Sequence, residues 1–192
     1  MNKNLDGAGK FAISQAKVAL DNLEALVLFE SSNSSGWPRI TIYMEASEDD
    51  AVLQVFPNGR TWNIQRSSDA VVSPEVVDVL SQAKTAVMVK DANAANGYVS
   101  RDVLRFPFRI VDSQSQLRYN SWKEALEVLR TVVTETKKTN AQTPSGMRTI
   151  HEVTKRYLPD EAVEKALKLI EWANQENAAE KERVAEAKAA AA

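Results

Sequence analysis

The stretch AVLQVFPNGRTWNIQ, residues 51–65, indicates the fold more clearly than any other part of the sequence. Apolar and polar residues alternate on both sides of Asn58-Gly59, a dipeptide typical of a two-residue type I′ hairpin turn. Such a turn sets the strand register, and the expected cross-strand partners are Leu53 with Ile64 and Val55 with Trp62. The stretch therefore predicts an antiparallel β-hairpin with one apolar face.

Helical and strand patterns lie on both sides of this hairpin. Apolar residues at helical spacing predict helices at residues 8–30, 74–83 and 121–138. Alternating or apolar runs predict strands at residues 37–46, 85–89 and 104–110, and then a DSQS turn and a short QLRY strand. The run TAVMV at 85–89 is apolar almost throughout, which is typical of a central strand covered on both faces.

The strand expected at 104–110 has one apolar face and one basic face. The apolar positions are Leu104, Phe106, Phe108 and Ile110. Arg105 and Arg109 lie between them, on the side that an antiparallel sheet exposes to water. Pro107 cannot donate a hydrogen bond to a neighbouring strand, which favours an edge strand or a bulge here.

The polar stretch TNAQTPSG divides the chain into two expected parts. We expect an α+β domain over residues 1–138, a linker over 139–147 and a helical C-terminal extension over 148–192. The extension is predicted to hold a short helix at 148–157 and a long helix from Pro159, whose expected buried face is Val163, Ala166, Leu167, Ile170 and Ala173. Because the strands are grouped in hairpins, the fold class is α+β, a mainly antiparallel sheet with packed helices.

The composition excludes several classes of protein. The chain has 192 residues, 44% of them hydrophobic, with no cysteine and one histidine. Disulfides, thiolate nucleophiles and Cys/His zinc sites are therefore excluded. The first ten residues lack the apolar core of a signal peptide, and no apolar run approaches the length of a membrane span. We expect a cytoplasmic protein without a membrane partner.

Three patterns resemble catalytic or metal sites, and each is incomplete. Gly7 to Lys10 lacks the other residues of a phosphate loop. The acidic cluster Glu45, Glu48, Asp49 and Asp50 lacks the spacing and the glycine of a calcium loop. His151 has no serine or carboxylate partner that the sequence reveals. We expect no catalytic residue, no cofactor and no metal, and a cofactor-free enzyme ranks third among the hypotheses.

Positive charge is concentrated in the middle of the chain. Residues 101–157 hold 11 Lys/Arg against 6 Asp/Glu, whereas the whole chain has a net charge of -2. The candidate binding face consists of Arg101, Arg105, Arg109, Arg118, Lys123 and Arg130. Such a face is expected to meet an acidic protein surface or the phosphates of a nucleic acid.

Binding to a protein partner is the function that the sequence favours. The polar side of the hairpin at 52–65 and the tail beyond residue 177 are two further surfaces for such a partner. Nucleic-acid binding through the basic residues of 101–138 is the alternative. No family motif is identified, which is compatible with an accessory or phage-type factor, and the sequence does not indicate an oligomeric state.

Overall fold

The structure is a computed structural model that describes residues 5–28, 36–46, 51–90, 98–143 and 146–190. Its contacts group the chain into two compact units. The sheet unit is Trp37–Trp122, and the helical unit combines Met1–Gly36 with Lys123–Ala192. This grouping differs from the boundaries expected at residues 138 and 147.

A three-stranded antiparallel sheet forms the centre of the sheet unit. Its middle strand is β1 (Ile40–Met44), which pairs with β4 (Asp69–Val72) on one side and β7 (Phe108–Ile110) on the other. Every second residue of β1 is fully buried, namely Ile40, Ile42 and Met44. The strand predicted at residues 37–46 is therefore present, and its alternating apolar residues form its inner face.

The hairpin predicted from residues 51–65 is present, with a different turn. Strands β2 (Val52–Val55) and β3 (Trp62–Gln65) pair in the expected register. The connection is a 3-10 turn over Pro57–Gly59, in which Gly59 alone has a positive φ, of 75°. The type I′ turn was wrong because Pro57 has no N–H to close the second hydrogen bond of that turn.

The segment from Ser73 to Ile110 contains one more strand than expected, because β6 was not predicted. Helix α2 (Pro74–Gln82) begins after Ser73, as its proline predicted. Strands β5 (Lys84–Lys90) and β6 (Tyr98–Leu104) then form a separate two-stranded sheet. The single strand expected at 104–110 is wrong, because β6 ends at Leu104 and β7 begins only at Phe108, with Pro107 between them.

Helix α3 (Ser113–Arg130) replaces the turn and short strand expected at 112–119. Asp112 begins it: its Oδ1 accepts the Ser115 N–H at 2.7 Å, and its Oδ2 accepts the Ser115 hydroxyl at 2.8 Å. This is the geometry of an N-cap, so the helix begins eight residues before the expected Ser121. It ends at Arg130, where Thr131 donates to the Val128 carbonyl, and not near residue 138.

Removing this cap is expected to lower the stability of the fold. We expect Asp112→Ala to cost about 1 kcal/mol, a typical N-cap value, and Asp112→Asn to cost less because asparagine also caps. The Ser115 N–H hydrogen bond lowers the pKa of the Asp112 carboxyl below its ordinary value of 3.8. The charged carboxylate is thus favoured in the folded state. Its contribution to the free energy of unfolding is lost as the pH falls below 3.8 and the carboxylate becomes protonated.

Urea unfolding measured at several pH values checks this prediction. At pH 7 the alanine variant should unfold at a lower urea concentration than the asparagine variant. Below pH 4 the difference between the parent protein and Asp112→Asn should shrink as Asp112 becomes protonated. Equal stabilities of all three proteins at pH 7 would contradict the capping role.

Helices α1 (Leu5–Val27) and α4 (Asp160–Ala190) pack together in the helical unit. The buried residues of α4 are Ala162, Ala166, Leu169 and Ala173. Leu167, expected inside, is 51% exposed, because the buried stripe of α4 turns toward Leu169. Near the middle of α4, Asn177 Nδ2 donates to the Gly36 carbonyl at 2.7 Å. Within the described ranges, no helix has the length and apolar content needed to cross a bilayer.

A long hairpin occupies the segment expected to hold the linker and the short helix. Strand β8 (Val133–Thr143) pairs antiparallel with β9 (Gly146–Tyr157). The helix predicted at 148–157 is therefore wrong. One register pair with described side chains opposes unlike charges, Glu135 with Lys155, an arrangement that favours a strand pair. All pairings in the described sheets are antiparallel, which confirms the α+β class. Helix α4 confirms the predicted C-terminal helix.

Candidate functional site

The hairpin of β5 and β6 carries two faces defined by its register. Opposite residues share a face, and the faces alternate along each strand. One face has three rows, Thr85 with Val103, Val87 with Arg101, and Val89 with Val99. We call these six residues the valine face. The other face is mixed, and its rows are Lys84 with Leu104, Ala86 with Asp102, Met88 with Ser100 and Lys90 with Tyr98.

Both faces of this hairpin are open to solvent. All seven residues of β5 are exposed. On the valine face, Val87 and Val103 are each 41% exposed and Val89 is 36% exposed. On the other face, Met88 is 64% exposed. The expectation that 85–89 is a central strand covered on both sides is therefore wrong, because among the described strands β5 pairs only with β6.

This exposure makes the hairpin unusual as an element of a folded protein. A two-stranded hairpin is only marginally stable in water unless a third strand or another layer packs against it. Fully burying a valine side chain contributes about 1.5 kcal/mol or more to stability. The exposed valines of this hairpin contribute only part of that free energy. Clustered apolar side chains on a protein surface mark interaction sites. The valine face is therefore the strongest candidate site in the described part of the chain.

Three of the predicted basic residues lie at exposed positions of the sheet unit. Arg101 is in the middle row of the valine face. Arg105 follows β6, and its guanidinium carbon is 5.2 Å from the centre of the Phe106 ring. Arg109 lies on β7, 5.0 Å from the centre of the Tyr43 ring. These last two guanidinium groups are at cation–π distance from aromatic rings of their own unit.

Arg118 has a structural role instead of a surface one. It is 7% exposed, and its Nη1 donates to the Arg39 carbonyl at 2.9 Å. Its own backbone carbonyl accepts the Trp37 indole N–H at 3.0 Å. A residue held in the core by these bonds presents no charge to a partner, so its assignment to the binding face is corrected.

The remaining two candidates belong to the helical unit. Lys123 and Arg130 lie on the second half of α3, and both are exposed. Arg130 forms an ion pair with Glu127 at 2.5 Å, one turn earlier on the helix. The six predicted residues are thus divided between a hairpin, an edge strand, the core and a helix surface. Within the sheet unit, Arg101 is the candidate that lies on the exposed apolar surface.

The catalytic patterns of the sequence find no support in the described residues. Gly7 to Lys10 lie inside helix α1, where a phosphate loop has no place. Glu45 is exposed, while Glu48, Asp49 and Asp50 lie outside the described residues. His151 is on β9, and its side chain is likewise outside the description. No group of three or more His, Asp or Glu in the described ranges is arranged to hold a metal ion.

A shallow groove on the helical unit is a weaker candidate. Its lining comes from one face of α4 alone, including Leu167, Ile170 and Asn174. A single helix face supplies no convergent polar groups of the kind that orient a small ligand. The valine face remains the better site, because two strands contribute to it. Comparison of the chain with protein-family models, curated proteins and solved structures gives no match.

Proposed function

We propose that this protein is a non-catalytic binding protein, and that its valine face docks onto another protein. The observation that carries the proposal is the exposure of β5, a strand whose sequence is that of a buried strand. An apolar surface on the partner would supply the missing layer. Such a role fits an accessory factor, and a cytoplasmic location stays a prediction.

The shape and chemistry of the hairpin favour a protein over other partners. A two-stranded ribbon open on both faces has no concave pocket for a small molecule. The valine face holds one cation among apolar residues, whereas phosphate backbones are bound by several lysines or arginines. Protein interfaces, in contrast, have an apolar centre with few charged residues. Nucleic acid is therefore the less favoured partner.

Site-specific photocrosslinking tests the proposal. A photoreactive amino acid replaces Thr85, an exposed residue of the valine face, in the full chain, and proteins crosslinked in a lysate of the source cells are identified by mass spectrometry. We expect specific proteins whose capture is lost when Val89→Asp and Val103→Asp are combined, because two carboxylates make the valine face polar. A labelled random-sequence oligonucleotide at low salt is titrated in parallel and is expected not to bind.

Two exposed valines elsewhere in the sheet unit provide the matched control. Val52 is 47% exposed and Val71 is 60% exposed, and neither belongs to the hairpin of β5 and β6. Val52→Asp with Val71→Asp should leave the capture unchanged. Urea unfolding of both double variants checks that they are folded. Equal capture by the two variants would contradict a role for the valine face, and oligonucleotide binding that depends on Arg101 would favour nucleic acid.

A further inference from the structure

The position of Arg101 restricts what the valine face accepts. Arg101 occupies the middle row, opposite Val87, with valines in the rows on both sides. The neighbouring acid, Asp102, lies on the opposite face because successive strand residues alternate. Within the described part of the chain, the Arg101 guanidinium has no ion-pair or hydrogen-bond partner. Among the residues that the structure describes, none compensates the positive charge at the centre of the valine face.

A partner that covers the valines must also satisfy this guanidinium. Burying an unpaired charge is strongly unfavourable, so a purely apolar partner would lose much of what the valines contribute. A carboxylate resolves the conflict, because it accepts two parallel hydrogen bonds from a guanidinium. The combination of valines and one central arginine therefore selects an apolar surface with an acidic residue in it.

A second copy of this chain fits the surface poorly. If two valine faces stacked on each other, two Arg101 guanidinium groups would enter one desolvated interface. The valine face has no carboxylate to compensate them, since its six residues are Thr85, Val87, Val89, Val99, Arg101 and Val103. Like charges in an interface act against the wrong partner, which favours a different protein over self-association.

We propose that the valine face binds an apolar segment of another protein that carries an Asp or Glu at its centre, and that this carboxylate pairs with Arg101. The inference rests on the proposed function, and it adds the chemistry of the partner. Arg101 supplies specificity, and the valines supply the apolar contact. The segment binds to the hairpin without any covalent step.

Selection from a library of random 12-residue peptides tests the inference without knowledge of the natural partner. The full-length protein, Arg101→Met, Arg101→Glu and the variant with Val89→Asp and Val103→Asp are panned in parallel. The parent protein should enrich apolar peptides that contain Asp or Glu. Methionine keeps the length and apolar character of the arginine stem, so Arg101→Met should enrich apolar peptides without the acid. Arg101→Glu should enrich peptides that contain Lys or Arg.

Affinities of one enriched acidic peptide complete the test. We expect binding to Arg101→Met to be about tenfold weaker or more, the loss typical of a hydrogen bond to a charged group. Replacing the acid of the peptide by its amide should weaken binding to the parent protein but not to Arg101→Met. Urea unfolding confirms that each variant is folded, which the exposure of Arg101 leads us to expect.

The outcomes separate the two proposals. Equal acid content in peptides from the parent protein and Arg101→Met overturns the role of Arg101 and leaves the valine face as a binding surface. Identical selections by the parent protein and the variant with Val89→Asp and Val103→Asp overturn both proposals. A concentration-dependent dimer that this double variant abolishes identifies a second copy as the occupant and also overturns the inference.

Discussion

Trp37→Ala is expected to lower the free energy of unfolding by about 3–5 kcal/mol, the range for removing a large buried aromatic side chain. Trp37 is 2% exposed, so the substitution leaves a cavity in the core of the sheet unit. It also removes the indole N–H that donates to the Arg118 carbonyl at 3.0 Å. Both losses act in the same direction, since the hydrogen bond from the buried indole also contributes to stability.

Trp37→Phe separates the two contributions. Phenylalanine restores part of the packing but has no N–H, so we expect a loss between those of the parent protein and the alanine variant. Urea unfolding followed by fluorescence and circular dichroism measures all three. Phe56→Ala is the control, because Phe56 is 60% exposed and its removal should change stability by less than about 0.5 kcal/mol. Similar losses for Trp37→Ala and Phe56→Ala would contradict the core position of Trp37.

Local patterns predicted the elements whose determinants are close in sequence. The register of β2 and β3 follows from alternating residues on both sides of a short turn, and it was correct. The turn type was wrong because the preceding Pro57 changes which hydrogen bonds can form. The start of α2 was correct because Pro74 fixes its own backbone angle at the first helical position, although the Ser73 side chain forms no capping hydrogen bond.

Helix α3 was mispredicted because its first turns depend on distant contacts. Ser115, in its first turn, is buried, and its hydroxyl oxygen accepts the backbone N–H of Thr41 at 3.0 Å. Arg118, one turn later, is also buried, and its guanidinium donates to the Arg39 carbonyl. Polar residues at these inward positions conceal the apolar stripe that predicts a helix. Only the folded structure shows that β1 and the residue before it supply their partners.

The sequence predicted only part of the candidate site. The apolar run at 85–89 was correctly identified as a strand, but its burial was not, because periodicity does not say whether the covering layer belongs to the same chain. Arg101 was included in the candidate binding face because of its charge. The other five residues of that predicted face lie elsewhere in the structure. The apolar run and Arg101 belong to one site only because β5 pairs with β6 in a register that places Arg101 opposite Val87.

Arg118→Ala is expected to lower the free energy of unfolding by about 2–3 kcal/mol, because it removes the charged donor of a partly buried hydrogen bond to the Arg39 carbonyl and the packing of the arginine stem. Arg118→Met should cost less, since methionine replaces the stem but not the hydrogen bond. Arg109→Ala is the matched surface control, and it should change stability by less than about 0.5 kcal/mol because Arg109 is exposed.

Stability and binding measured on the same variants distinguish a core arginine from a binding arginine. If Arg118 is structural, Arg118→Met should reduce stability while peptides selected by the valine face still bind, as long as the variant is folded. Arg101→Met should show the reverse, with stability unchanged and peptide binding weakened. A variant of Arg118 that keeps full stability but loses peptide binding would return this residue to the binding face. The two arginines differ in burial and in bonded partners, so these opposite outcomes follow from where the fold places each charge.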